Sequence, residues 1–192
     1  QQNTSDLSEQ RFSSTFTGRE FFLADHVVKG EKILPGVAYL EMARAAVEEA
    51  AGTLYEEEKP GIRLKNVVWA RPLAVGGQPV QAHIGLYPEE NGTIAYEIYS
   101  DPADSEGEPI VHGQGSAELG PRLEAPLVDI KTAQKQCGQN TFSAGQCYEA
   151  FRRAGLEYGP GHRGIEQIYV GAGQVLARLA LPGAVLSGKE KY

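Results

Sequence analysis

The sequence predicts an α+β fold in which one long central helix is wrapped by an antiparallel sheet. Three observations lead there. Residues 37–51 read as a single helix that is apolar on most sides, and a helix with so little polar surface must be enclosed by other elements. Four runs rich in β-formers follow it, at 62–75, 80–87, 94–98 and 110–119. Turn residues punctuate these runs, with Pro60-Gly61 before the first and Asn91-Gly92 between the second and the third.

Residues 1–10 are polar, and Phe12, Ser14 and Phe16 then suggest a short strand ending at Gly18. Phe21, Phe22 and Leu23 lead into a polar segment around His26. Pro35 fits the start of the long helix, where a missing N–H costs nothing, and Gly52 fits its end in a left-handed conformation. Glu41, Arg44 and Glu48 form a narrow charged stripe at three- and four-residue spacing. Pro72 points to an edge or a bulge in the first run. In the second, Ala82, Ile84 and Leu86 share one face, which leaves His83, like His112 later, on a polar face expected to meet solvent.

Residues 120–140 hold two prolines and few apolar pairs and read as a linker. Beyond it, Phe142, Cys147, Tyr148 and Phe151 fit a short helix capped by Thr141 or Ser143 and ended near Gly155. Two strand runs, 164–170 and 174–181, come next. The expected domains are therefore 1–119, a linker at 120–140, and a second unit at 141–192 of the same style that lacks a long apolar helix. The polar end from Ser187 to Tyr192 reads as a loop entering a further element.

The 192 residues suffice for a proper core, in one large domain or two small ones. A net charge of -7 argues against nucleic acid or an anionic membrane as the main partner. No apolar run is long enough to span a bilayer, and the first residues lack the order of a signal peptide. Cys137 and Cys147 have no metal-ligand spacing around them, so no metal site is expected. So few cysteines suggest a reducing compartment, and a cytoplasmic location is the expectation.

On its own, a histidine in a polar loop is more often surface than catalytic. The context of His26 changes that balance. A helix opened by Pro35-Gly36 presents backbone N–H groups and the positive end of its dipole. Such a terminus can hold a thioester carbonyl and stabilise the enolate-like oxygen formed when an α-proton leaves. An imidazole titrating near neutrality is a suitable base for that proton. Glycine clusters at 113–115 and 171–173 lack the strand-glycine-helix order of a nucleotide site. Arg152, Arg153 and Arg163 read as a solvated face able to meet an acidic carrier, and Glu56-Glu57-Glu58 as a solvated loop.

His26, Gly30 and Pro35 also form a pattern of histidine, three residues, glycine, four residues, proline. Gly155, Tyr158, Gly159 and Pro160 form a second one. Together, in this order, they resemble the dehydratase domains of modular type I polyketide synthases, and the resemblance covers essentially the whole chain. It implies a double hot-dog fold whose second hot-dog is incomplete here. It implies dehydration of a 3-hydroxyacyl thioester on an acyl carrier protein, with His26 as the base and the N–H groups of Gly36 or Val37 holding the carbonyl. Gly30, Pro35, Tyr158, Gly159 and Pro160 would shape the substrate site, the last three lining the passage for the acyl chain. The family's acid, an aspartate on the central helix of the second hot-dog, would lie beyond Tyr192, so residues 1–192 alone are expected to be inactive. No cofactor is expected, because loss of water moves no electrons; the substrate would ride on the carrier's phosphopantetheine arm. Neighbouring synthase domains and a second copy of the chain are the other expected partners. His162 departs from the aromatic residue usual two places after the proline. Rival readings are a pyran-forming or double-bond-shifting domain of the same fold, from which Pro35 argues away for the latter, and a non-catalytic acyl-binding or dimerisation module.

Overall fold

The computed structural model describes residues 1–52, 60–102, 107–122, 124–138 and 140–187. The run Glu56-Glu57-Glu58 and residues 188–192 lie outside them. In chain order the first elements are β1 (Gln2–Asn3), β2 (Gln10–Phe16), α1 (Phe21–Ala24), β3 (His26–Val28), β4 (Glu31–Lys32) and α2 (Gly36–Ala51). The strands β5 (Gly61–Trp69), β6 (Val80–Pro88), β7 (Thr93–Ser100) and β8 (Ile110–Gly120) follow. After α3 (Ile130–Gln136) come β9 (Asn140–Ser143), α4 (Ala144–Arg153), β10 (Leu156–Tyr158), β11 (Ile165–Gly171), β12 (Gln174–Leu179) and α5 (Gly183–Ser187).

These elements form two compact units, one from Gln1–Glu20 with Ile33–Glu124, the other from Phe21–Lys32 with Ala125–Tyr192. This division differs from the expected boundaries in two respects. Residues 21–32 join the later unit because β3 pairs with β10. The expected linker contains a helix, α3, whose first turn is capped by the Asp129 carboxylate accepting from the N–H groups of Lys131 and Thr132.

The first unit is a hot-dog. Its six antiparallel strands run in the order β1-β2-β6-β7-β8-β5, and α2 lies against their apolar face. Tyr39, Met42, Ala43, Ala46 and Val47 of α2 are buried, as are Phe12, Ile84 and Ile98 of the sheet. A fully buried side chain of that size stabilises by about 1.5–3 kcal/mol relative to exposure. Gly113 makes room for the helix: a Cβ there would lie 3.2 Å from the Tyr39 ring. The Tyr39 hydroxyl accepts from the N–H of Leu73 at 3.0 Å, tying the helix to the segment after β5.

Pro35 caps α2 from just outside, at φ -58° and ψ 141°. Arg44 bonds both Glu41 and Glu48 at 2.7 Å, which makes the charged stripe an exposed ion-pair ladder. Gly52 takes the right-handed conformation (φ -58°, ψ -24°) instead of the expected left-handed one. β5 is an edge strand with a bulge between Lys65 and Val68, and it stops at Trp69, before Pro72. The chain then crosses the end of the core through buried Leu73 and Val75 to reach β6. Leu34 N–H donates to the Leu73 carbonyl at 2.9 Å, so the approach to α2 is fastened to that crossing.

His83 and His112 are buried, against the expectation of surface positions. Hydrogen bonding explains it. His83 Nδ1 lies 2.7 Å from Ser13 Oγ and its Nε2 3.3 Å from Asp101 Oδ2. His112 Nε2 lies 2.9 Å from Ser100 Oγ, and its Nδ1 donates to the Arg71 carbonyl at 3.3 Å.

The second unit contains two small sheets, β10-β3-β4 and β12-β11-β9, with α4 packed against β10 and β11. Ser143 and Gln146 form a reciprocal capping box at the start of α4. The helix gives way to Gly155 in a left-handed conformation, φ +85°. Neither α3 nor α4 approaches the length of α2.

Candidate active site

β3 is only three residues long, and what fixes it is its neighbours. Lys29 (φ +50°) and Gly30 (φ +87°) turn the chain back into β4, with Val28 opposite Glu31. A two-residue loop with both φ positive is the type I′ turn that suits the twist of a hairpin. On the other side, Leu156, Glu157 and Tyr158 of β10 stand opposite Val28, Val27 and His26. The Lys29 N–H donates to the Gly155 carbonyl at 2.7 Å, which closes that end of the pairing.

His26 therefore faces Tyr158 across the ladder, with ring centroids 5.5 Å apart. His162, in the short 3₁₀ turn Pro160–His162, completes a triangle of rings, 5.5 Å from His26 and 5.8 Å from Tyr158. The Nε2 of His162 donates to the Phe22 carbonyl at 3.0 Å, which fixes a proton on that nitrogen. Edge-to-face contacts with Phe151 (5.4 Å) and Tyr148 (6.4 Å) hold the back of Tyr158. Arg163 Nε donates to the Tyr158 carbonyl at 2.8 Å, and its guanidinium lies over the Tyr148 ring. The solvated face expected of the three arginines holds, Arg163 being exposed despite these contacts and Arg152 and Arg153 pairing with Glu149 on the surface.

The residues singled out in the sequence fall into three groups. His26, Tyr158, Gly159 and Pro160 come together around the β3–β10 pairing. Gly30 sits at the exposed tip of the hairpin, where its visible duty is the left-handed backbone. Pro35, Gly36 and Val37 belong to the other unit, at the start of α2. There the Trp69 indole N–H donates to the Gly36 carbonyl at 3.1 Å. The N–H groups of Gly36 and Val37 lie in the first helical turn, which has no intrahelical acceptors.

A cleft of about 710 Å³ opens in the second unit, bordered by Val27, Tyr148, Glu149, Tyr158, Gly159 and Arg163 among others; His26 does not line it. Cys137 and Cys147 are buried free thiols. Among the described residues no three His, Cys, Asp or Glu side chains gather as a metal site, and no helix is long and apolar enough to cross a membrane.

Two residues with a clear structural part were not singled out beforehand as site residues: Asp25, whose carboxylate accepts from the Gly161 N–H at 2.6 Å, and Arg163 as the support of Tyr158. Asp25 could have been noticed as the charged neighbour of His26. The sequence pattern marks Arg163 only as part of a charged face.

Residues 1–101 match the family described as polyketide synthase dehydratase domain, and residues 125–192 the one described as polyketide synthase dehydratase N-terminal domain. The chain belongs to the polyketide synthase dehydratase family. Within it, polyketide synthase PksM of Bacillus subtilis (strain 168) is 49% identical over 190 residues, which are 99% of this chain and 4% of that protein. A trans-AT dehydratase domain from Brevibacillus brevis, solved by crystallography, is 57% identical with a TM-score of 0.93, covering 98% of this chain and 65% of that one. The dehydratase domain of RzxB from Pseudomonas fluorescens is 29% identical with a TM-score of 0.80, covering 97% and 66%. This chain thus spans about two thirds of the solved domains and a few per cent of the synthases. Its fold is the double hot-dog of these dehydratases, in part.

Proposed function

We propose that the chain is the base-bearing part of a domain that dehydrates a 3-hydroxyacyl thioester carried on an acyl carrier protein. The observation that carries this reading is the β3–β10 pairing. It joins the two motifs of the family, separated by more than a hundred residues, at the ladder position His26–Tyr158.

In this reading neutral His26 takes the proton from the α-carbon. The electron pair forms the new double bond as the 3-hydroxyl departs with a proton from a second group, giving water and an α,β-unsaturated thioester. The departing group needs that acid, because hydroxide leaves poorly at neutral pH; the family resemblance points to an aspartate outside these residues. The N–H groups of Gly36 or Val37 serve as donors to the thioester oxygen, where charge grows as the proton leaves. Tyr158, Gly159 and Pro160 border the acyl chain, and Gly30 and Pro35 shape the segments on either side of the base. No cofactor takes part, since substrate and product differ only by water. The substrate arrives on the phosphopantetheine arm of the carrier, in the setting of neighbouring synthase domains and a dimeric, cytoplasmic assembly.

The test is His26→Ala in the full-length protein that carries this chain. Mass spectrometry of a carrier-bound 3-hydroxyacyl substrate should show dehydration slowed by about 10²–10⁴-fold, the usual contribution of a general base. The thermal midpoint should change little, because His26 is only half-buried. Undiminished loss of water would exclude His26 as the base.

A further inference from the structure

Asp25 precedes the base, and its side chain is where the loop from Gly159 to His162 is fastened. Its carboxylate accepts from the Gly161 N–H at 2.6 Å, and its backbone carbonyl accepts from the Gly159 N–H at 2.8 Å.

The two glycines are shaped to this contact. A Cβ on Gly159 would collide with the Asp25 carboxyl group, and one on Gly161 would lie 2.9 Å from both Asp25 Oδ2 and Phe21 Cδ2. Neither has a positive φ, so conformational freedom does not account for them. What does is the close approach of the loop backbone to the Asp25 side chain. Tyr158 enters this loop and His162 leaves it, and both rings stand against His26.

We propose that Asp25 is a positioning residue, whose carboxylate holds the Gly159–His162 loop so that the rings of Tyr158 and His162 stay packed on His26. Its effect on turnover rests on the reading of His26 as the base; the packing itself does not. Asparagine offers Gly161 the same acceptor oxygen, whereas alanine leaves that N–H unpaired beside a void.

The experiment compares D25A and D25N with the parent in the full-length protein. Two quantities are followed: the rate at which diethyl pyrocarbonate modifies His26, by peptide mass spectrometry, and turnover of a carrier-bound 3-hydroxyacyl thioester. In D25A the loop releases, and His26 should react several-fold faster. The buried His83 and His112, in the other unit, should keep their parental rates and so report any general loosening. kcat should fall by about 10–100-fold with KM nearly unchanged, as expected for a misplacement on the order of 1 Å. D25N should stay close to the parent in both. If D25A does not fold, G161A supplies the same displacement from the loop side and should likewise speed modification of His26. Parental reactivity of His26 in D25A, or in G161A where D25A is unfolded, overturns the proposal, and so does a D25N defect as large as that of D25A. Faster modification with undiminished turnover upholds the positioning and instead overturns the reading of His26 as base.

Discussion

At His112 the polar side of a strand is turned inward, and burial, the main cause, holds its imidazole below the ordinary value of 6.5. Its hydrogen bonds suit a neutral ring, with Nδ1–H on the Arg71 carbonyl and Nε2 accepting from Ser100 Oγ. Below pH 6.5 the unfolded chain takes up a proton that the folded state resists, so this contribution to stability is complete above 6.5 and is lost as the pH falls through the folded value. Urea midpoints should therefore decline on the acid side, and His112→Asn, though less stable near neutrality, should show a flatter decline. Equal slopes in the two proteins would mean that other groups govern the acid limb. The same residue marks a limit of the sequence. Strict alternation assigned His83 and His112 to solvent, and the hydroxyls and carbonyls that satisfy them come from strands and loops distant along the chain. His26, by contrast, was singled out by two spaced motifs, and the β3–β10 pairing places those motifs side by side.

Among the elements, the β3–β4 hairpin carries His26, and its geometry hangs on the Lys29-Gly30 turn. A residue with a Cβ in the left-handed region costs about 1–2 kcal/mol. Gly30→Ala should lower the stability of the second unit by that amount, even though no atom lies within 4 Å of the added methyl. The measurement is the urea midpoint followed at a probe in that unit, such as Tyr158. An unchanged midpoint would show that the turn tolerates side chains. Spacing singled out Gly30 and Gly155 without indicating their backbone conformation. Both have positive φ, and each ends a strand or helix at the β3–β10 junction. That junction pairs residues 26–28 with residues 156–158, a long-range choice that local periodicity cannot encode. This is why residues 21–32 were assigned to the first domain. The long helix, the meander β6-β7-β8 and the capped α4 were all readable, since each is fixed by neighbours in sequence.

For the molecule as a whole, the sheet β12-β11-β9 poses the remaining question. Its register places Val175 opposite Val170, Ala177 opposite Ile168, and Phe142 opposite Ile168 from the other side. Directly paired residues share a face, so these side chains, with Leu179 opposite Ile165, make one apolar surface. Much of it is open: Val175 is 63% exposed, Leu179 67% and Phe142 44%. The corresponding face of the first unit is covered by α2. This chain covers 65% of the Brevibacillus domain's length, and we expect residues of such a longer domain to cover this face. Contiguous apolar surface of this kind drives association when left uncovered, and a short sheet with free edges adds to it. Residues 1–192 expressed alone should therefore self-associate and bind a hydrophobic dye. Polar replacement at two exposed positions, Val175→Thr with Leu179→Gln, should restore a monomer and reduce the dye signal. In the full-length protein the same pair should destabilise the domain, because there it would place polar groups under the cover. A dye-silent, monomeric parent of 192 residues would show that this face needs no partner, and an unaffected full-length variant would show that nothing packs on it.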